Sequence, residues 1–253
     1  MDFSEGYKEK LFNFINENTN YKAEQKQDLK NIITKLKNSR DFLKESLRFY
    51  TGENNHIYLF NRTMRKIEEG LERLSFLIGP MYYSMVRYLK KENPSLALNK
   101  NLTLFRKLII TKYEYNLYNM YVNNIICFPS FTSTSTSIKN DFSPTSNALK
   151  VNNVNEKESI IILMVLHYKH LHKNIFQGMF LNKYFSVNSR EKEVLIFPFT
   201  FIKVNSLEPA NDEDDCFDYK MDCDILNRDR ILEFELKKGK KIVIDSNNVL
   251  TIQ

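Results

Sequence analysis

Residues 93–110 read NPSLALNKNLTLFRKLII, and the fold turns on the change of rhythm inside that stretch. Asn93-Pro94-Ser95 is a boundary signal, because proline cannot continue a helix and pushes the residue before it toward extended backbone. From about residue 100 the helical period gives way, and Leu102-Thr103-Leu104-Phe105-Arg106 reads as a strand. Upstream, apolar residues recur at three- and four-residue spacing among Lys, Glu and Asn: Leu11, Phe12 and Ile15, then Ile32, Ile33 and Leu36, then Ile67, Leu71, Leu74 and Ile78, then Met85 and Leu89. That period predicts helices. Gly79-Pro80, the first proline in the chain, is expected to break or kink the last of them.

Downstream, Lys112 to Asn123 reads as a short tyrosine-rich helix and Ile125 to Ser135 as a second strand. Residues 141–158 are polar and asparagine-rich, which predicts a loop, and the apolar run Ser159 to His167 predicts a buried strand. Glu193 to Val204 runs apolar again, with Pro198 marking an edge or bulge. Ile231 to Leu236 and Lys241 to Ile244 suggest a closing hairpin, turning at Gly239 among Lys237, Lys238, Lys240 and Lys241. Helices first and strands afterwards predict an α+β fold rather than a doubly wound sheet. The division this suggests is a helical N-terminal lobe over residues 1–95 and a β-rich core over 96–253.

Composition removes several classes. The chain has 253 residues, 42% hydrophobic and 13% aromatic, which is enough to build a core and excludes a disordered chain. No run approaches the roughly 18 apolar residues that predict a membrane span, and MDFSEGYKEKLF lacks the pattern of a secretory signal. A cytoplasmic protein, or an effector delivered by another route, is therefore expected. The net charge is +6, but positive and negative residues are interspersed, so nucleic acid is not expected as a partner. Six glycines and no phosphate-loop motif argue against that mode of nucleotide binding. Cys127, Cys216 and Cys223 cannot all pair and match no zinc spacing, which predicts free thiols.

Three segments carry candidate chemistry. In Phe131-Thr132-Ser133-Thr134-Ser135, strand alternation would set Phe131, Ser133 and Ser135 on one face and Thr132 and Thr134 on the other. Taken alone, the run favours a Ser/Thr-rich linker, since it continues through Thr136 and Ser137. In Arg190-Glu191-Lys192-Glu193, two carboxylates at i and i+2 of an extended chain share a face about 7 Å apart. Their repulsion, about 2 kcal/mol at an effective dielectric of 20, would welcome a planar guanidinium between them. Taken alone, this run reads as a solvated lead-in to a strand. Arg106, centred in an apolar strand, needs an anion, for which a protein carboxylate is the commoner answer than a bound phosphate.

In order and spacing the three resemble the Arg-Ser-Glu class of mono-ADP-ribosyltransferases, which includes arginine-modifying bacterial toxins and eukaryotic ecto-enzymes. SVNSREKEVLIFPFTFIKV, residues 186–204, is similar to the family's ExE stretch and following strand, and Phe131 to Ser135 to its aromatic-x-Ser-Thr-Ser strand. Ser133 and Glu191 lie 58 positions apart in the family's order. Arg106 takes the place of the motif arginine, with Lys107 where the family has Gly. The likeness spans roughly Asn101 to Leu236.

The resemblance implies a split two-sheet β-core with the helical lobe packed on it, NAD as co-substrate, no metal, and transfer of ADP-ribose to arginine side chains of a protein target. It implies that Arg106 contacts the dinucleotide's phosphates and that Ser133 holds the catalytic Glu193, with Thr134 and Ser135 bracing the cleft. Glu193 would accept from the nicotinamide-ribose hydroxyl and steady positive charge on the sugar, and Glu191 would orient and deprotonate the acceptor. Residues 183–190 would face the acceptor, with Tyr184 and Phe185 either touching substrate or anchoring the loop, and Phe142 is a candidate to stack on nicotinamide. An NAD glycohydrolase using the same site, or an inactive relative acting as a binding module, are the rival readings.

Other features are set aside. His167, His170 and His172 read as partly exposed histidines at a strand end rather than metal ligands, and residues 212–215 as a solvated acidic turn without the features of an EF-hand. Cys127 reads as buried filler.

Overall fold

A computed structural model describes residues 5–17, 23–34, 39–51, 67–138, 159–170, 176–182, 184–185, 193–210, 217–226, 239, 241–244 and 249–252. Helices α1 (Glu5–Glu17), α2 (Ala23–Thr34), α3 (Ser39–Thr51) and α4 (Ile67–Lys91) come first, and a 3₁₀ turn at Pro94–Leu96 ends the helical part. Along α4, Ile78, Met81, Met85, Tyr88 and Leu89 are buried at the spacing of one helical face. The helix runs on through Gly79-Pro80, where a break or a kink was expected. Ile78 and Met81, on either side of the missing N–H, are buried in one cluster, and that packing offsets a proline penalty of about 3 kcal/mol. Among the described residues no helix is long and apolar enough to cross a membrane.

The strands are β1 (Leu102–Ile110), β2 (Ile125–Phe128), β3 (Thr132–Ser135), β4 (Ile160–Tyr168), β5 (Gly178–Phe180), β6 (Glu193–Ile196), β7 (Thr200–Pro209), β8 (Tyr219–Ile225), β9 (Ile242–Ile244) and β10 (Leu250–Ile252), with helix α5 (Lys112–Met120) between β1 and β2. They form a mixed sheet in the order β5-β6-β3-β1-β4-β8-β7-β2-β10-β9. The fold is α+β. β1 and β4 pair antiparallel along their full length, from Leu102↔Tyr168 to Ile110↔Ile160, while β4 and β8 run parallel. Between β1 and β3 the ladder thins to one register pair, Phe105↔Ser135. The sheet is therefore a small section, β5-β6-β3, hinged on a large one.

Two segments read as single strands are each broken. Ile125–Phe128 pairs with β7, whereas Thr132–Ser135 pairs with β6. The opposing segment breaks at the same level, between Ile196 and Thr200, where Phe199 takes a positive φ of 58°. Pro129 and Pro198 stand at the two breaks. Neither can donate to a ladder, so pairing lapses on both segments together and the chain passes from one section to the other.

Helices and sheet share one core. Leu11, Ile33, Phe42, Leu47, Met85 and Leu89 cluster with Phe131, Met179, Leu195 and Phe197 of the small section. Val194 and Ile196, on the opposite face of β6, join Leu104, Leu108, Ile162, Met164 and Ile202 in a second cluster. β6 is thus buried on both faces. The basic turn keeps its glycine in the left-handed region (Gly239, φ 84°), but the described partner of Ile242–Ile244 is Leu250–Ile252, and residues 231–236 lie outside the described residues.

Candidate active site

Glu193 opens β6, opposite Ser135 in the register of β3. Its neighbours Val194 and Ile196 point into the strand-side core, so alternation turns Glu193 with Leu195 toward the helices. The residue is only 7% exposed, a costly position for a charge unless it is hydrogen-bonded. Ser133 Oγ donates to Glu193 Oε1 at 2.6 Å, the length of a charge-assisted bond.

Arg106, half-buried on β1, donates from Nη1 to the backbone carbonyl of Ser133 at 3.0 Å. It reaches across where the β1–β3 ladder has thinned. One of the guanidinium's five N–H groups thus braces the residue that holds the carboxylate.

The Ser/Thr run is a strand and not a linker. Thr132 and Thr134 form its buried face, and Thr134 Oγ1 donates to the Val194 carbonyl at 2.8 Å, tying β3 to β6 beside the ladder. Ser133 and Ser135 occupy the half-open face. Ser135 Oγ accepts from the Ser137 amide at 3.2 Å and so shapes the turn that leaves the strand. Glu191 and Phe142 lie outside the described residues, as do residues 186–190 of the expected acceptor-facing stretch.

Of the two aromatics ahead of Glu193, Phe185 is fully buried and Tyr184 is 37% exposed, so Phe185 is an anchor. Tyr88 of α4 meets Phe185 edge to face, and Lys44 of α3 sits over the Tyr184 ring. Sequence reasoning missed both contacts. They join residues 97 and 140 positions apart, and neither Tyr88 nor Lys44 departs from an ordinary helical pattern.

His167 and His170 are both partly exposed at the end of β4, and among the described residues His170 Nδ1 is buried without a hydrogen-bond partner. His167 Nε2 lies 2.8 Å from Asp222 Oδ2, and Asn205 Nδ2 reaches both Asp222 Oδ1 (3.1 Å) and Asp224 Oδ2 (3.2 Å). The carboxylates absent from the histidines' sequence neighbourhood come from β8, which runs parallel beside β4. Burial pushes the Asp222 carboxyl up, but hydrogen bonds from Asn205 and His167 and the charges of His167 and Lys220 outweigh it and hold the group below its ordinary value. Among the described residues no three metal-ligating side chains converge. His172 and residues 212–215 lie outside them. Cys127 and Cys223 are buried free thiols, and burial pushes Cys127 up to about 12.

No protein-family model and no curated protein matches the chain. Similar solved structures include an ADP-ribosyltransferase from Clostridium botulinum, at 14% identity over 74% of this chain and 87% of that one, with a TM-score of 0.48. The Vis toxin, an ADP-ribosyltransferase from Vibrio splendidus, aligns at 15% identity over 94% and 99% with a TM-score of 0.46. The SpvB ATR domain from Salmonella aligns at 17% identity over 73% and 98% with a TM-score of 0.46.

Proposed function

We propose that the chain is a mono-ADP-ribosyltransferase that uses NAD and modifies arginine side chains of a protein target. In this reading residues 1–95 form a helical lobe on a catalytic core spanning 96–253. The observation that carries it is the convergence of Arg106, Ser133 and Glu193 from three strands, with a nearly buried carboxylate held at 2.6 Å by a hydroxyl.

Such a carboxylate suits NAD cleavage. The dinucleotide supplies a ribosyl carbon that becomes positively charged as nicotinamide leaves with the bonding electrons. Glu193, fixed by Ser133 before the reaction, stabilises that charge at little reorganisation cost, as carboxylates do in glycoside hydrolysis. Arg106, which donates to the Ser133 carbonyl, offers a guanidinium suited to the phosphates, and Thr134 and Ser135 keep the cleft wall rigid. Glu191, two residues before Glu193, serves as the base that takes the acceptor's proton. Phe142 serves as a stacking surface for nicotinamide.

Labelled NAD with and without agmatine, a small guanidino acceptor, tests the reading. Labelled agmatine is the expected product. Free ADP-ribose alone would indicate a glycohydrolase, and no turnover a binding module. Glu193→Gln is expected to abolish nicotinamide release, whereas Glu191→Gln is expected to cut transfer about 100-fold or more and to spare hydrolysis. Near-normal turnover by Glu193→Gln overturns the assignment of the carboxylate.

A further inference from the structure

A hydrogen-bonded circuit closes across the break between the two sections of the sheet. On the small section the Phe197 amide donates to the Gln177 carbonyl at 2.8 Å, carrying the β5–β6 pairing one step past Gly178↔Ile196. On the large section the Leu226 amide donates to the Phe201 carbonyl at 2.9 Å, carrying the β7–β8 pairing one step past Ile202↔Ile225. Gln177 Nε2 then crosses from one section to the other and donates to the Leu226 carbonyl at 2.7 Å. Residues 197–201 complete the circuit as its covalent link.

The circuit is held under constraint. Gln177 is only 8% exposed, and an amide so buried costs stability unless it is hydrogen-bonded. Phe199, inside the covalent link, has a φ of 58°, which a bulky residue keeps only where its surroundings impose it. Thr200 Oγ1 donates to the Phe197 carbonyl at 2.7 Å and tightens the same turn. At the other seam, the described links between the sections are the register pair Phe105↔Ser135 and the Arg106 bond to the Ser133 carbonyl.

The two sections carry different parts of the candidate site: Ser133 and Glu193 stand on the small one and Arg106 on the large one. Gln177 is level with Phe197, about 13 Å along the strand from Glu193, so it acts on the site only through the sheet. We propose that Gln177 is a positioning residue that sets the angle between the sections, and thereby the place of Glu193 relative to Arg106. The proposal rests on the ADP-ribosyltransferase reading above, in which one NAD molecule meets Arg106 through its phosphates and Glu193 through its nicotinamide ribose. A ligand held on both sections depends on that angle, whereas a ligand held on the large section alone does not.

The test compares wild type with Gln177→Met, which conserves volume and removes the donor. Nicotinamide release gives kcat/KM for NAD, and calorimetric titration with ADP gives affinity and stoichiometry at the phosphate end. Gln177→Met is expected to lose about 5- to 20-fold in kcat/KM for NAD, the scale of a small misplacement of the reacting groups. It binds ADP at full stoichiometry, with a Kd within about twofold of wild type, because that contact does not span the sections. Should Gln177→Met fail to fold, Gln177→Asn, whose amide is a methylene too short to reach Leu226, takes its place with the same expected result. A merely structural role would instead lower ADP stoichiometry and turnover together. That outcome, an unchanged kcat/KM, equal losses toward NAD and ADP, or failure of both variants to fold overturns the proposal while the function stands. A wild type that releases nicotinamide but binds no ADP overturns the inference by removing its phosphate contact. A wild type that releases no nicotinamide overturns the function and this inference with it.

Discussion

Replacing Ser133 by alanine removes one hydroxyl and isolates the bond on which the site is built. The Ser133 Oγ to Glu193 Oε1 distance is 2.6 Å and the glutamate is nearly buried, so water cannot readily take the hydroxyl's place. A hydrogen bond to a charged group contributes about 1.5–3 kcal/mol. Ser133 itself is half-buried, so the lower part of that range applies, about 1.5–2 kcal/mol. If the bond persists to the transition state, kcat/KM for nicotinamide release falls about 10- to 30-fold. The assay is nicotinamide release in wild type and Ser133→Ala, joined to a double-mutant cycle on unfolding free energy with Glu193→Gln. Because Ser133 acts through Glu193, the two substitutions are expected to be non-additive, with a coupling of about 1 kcal/mol or more. Strict additivity, or an alanine variant with wild-type turnover, would refute the view that this hydroxyl holds the catalytic carboxylate.

Two further perturbations probe the frame around the site. At Gly178 of β5 an added Cβ would meet the Leu195 carbonyl oxygen at 2.8 Å and Leu98 Cδ1 at 2.9 Å, so Gly178→Ala is expected to cost about 1–3 kcal/mol in urea unfolding by pushing β5 off β6. Asp222, held below its ordinary value of 3.8, stabilises the fold above that pH and loses the contribution as pH falls through its lowered value. Wild type is therefore expected to exceed Asp222→Asn in stability near pH 6.5, the difference shrinking below about pH 4 in urea titrations; a difference independent of pH would count against the network.

Taken singly, the Ser/Thr run, the Glu191 and Glu193 pair and Arg106 each read as ordinary features of a strand or its flank. The candidate site became legible through their order and spacing, which carry the family resemblance. Motif order then paired Ser133 with Glu193, and the fold places them in hydrogen-bond contact. For Arg106 an anion was expected, whereas the bond described runs to the Ser133 main-chain carbonyl, a partner with no signature in sequence. The aromatic pair at 184 and 185 was ambiguous until burial separated an anchor from a half-exposed ring.

By itself the sequence determined what depends on neighbours along the chain: helical stripes before Pro94, extended runs after Asn101, and hence the α+β order. Tertiary structure alone decided what depends on partners far apart. These include the break at Pro129, level with the irregularity already marked by Pro198, the parallel seating of β8 that brings Asp222 to His167, and the reach of Lys44 and Tyr88 to the chain ahead of Glu193. Periodicity states which side chains share a face, because backbone geometry repeats every two or 3.6 residues. It carries no information on which strand or helix lies across that face, since that choice is made by burial and hydrogen bonding over the whole chain at once.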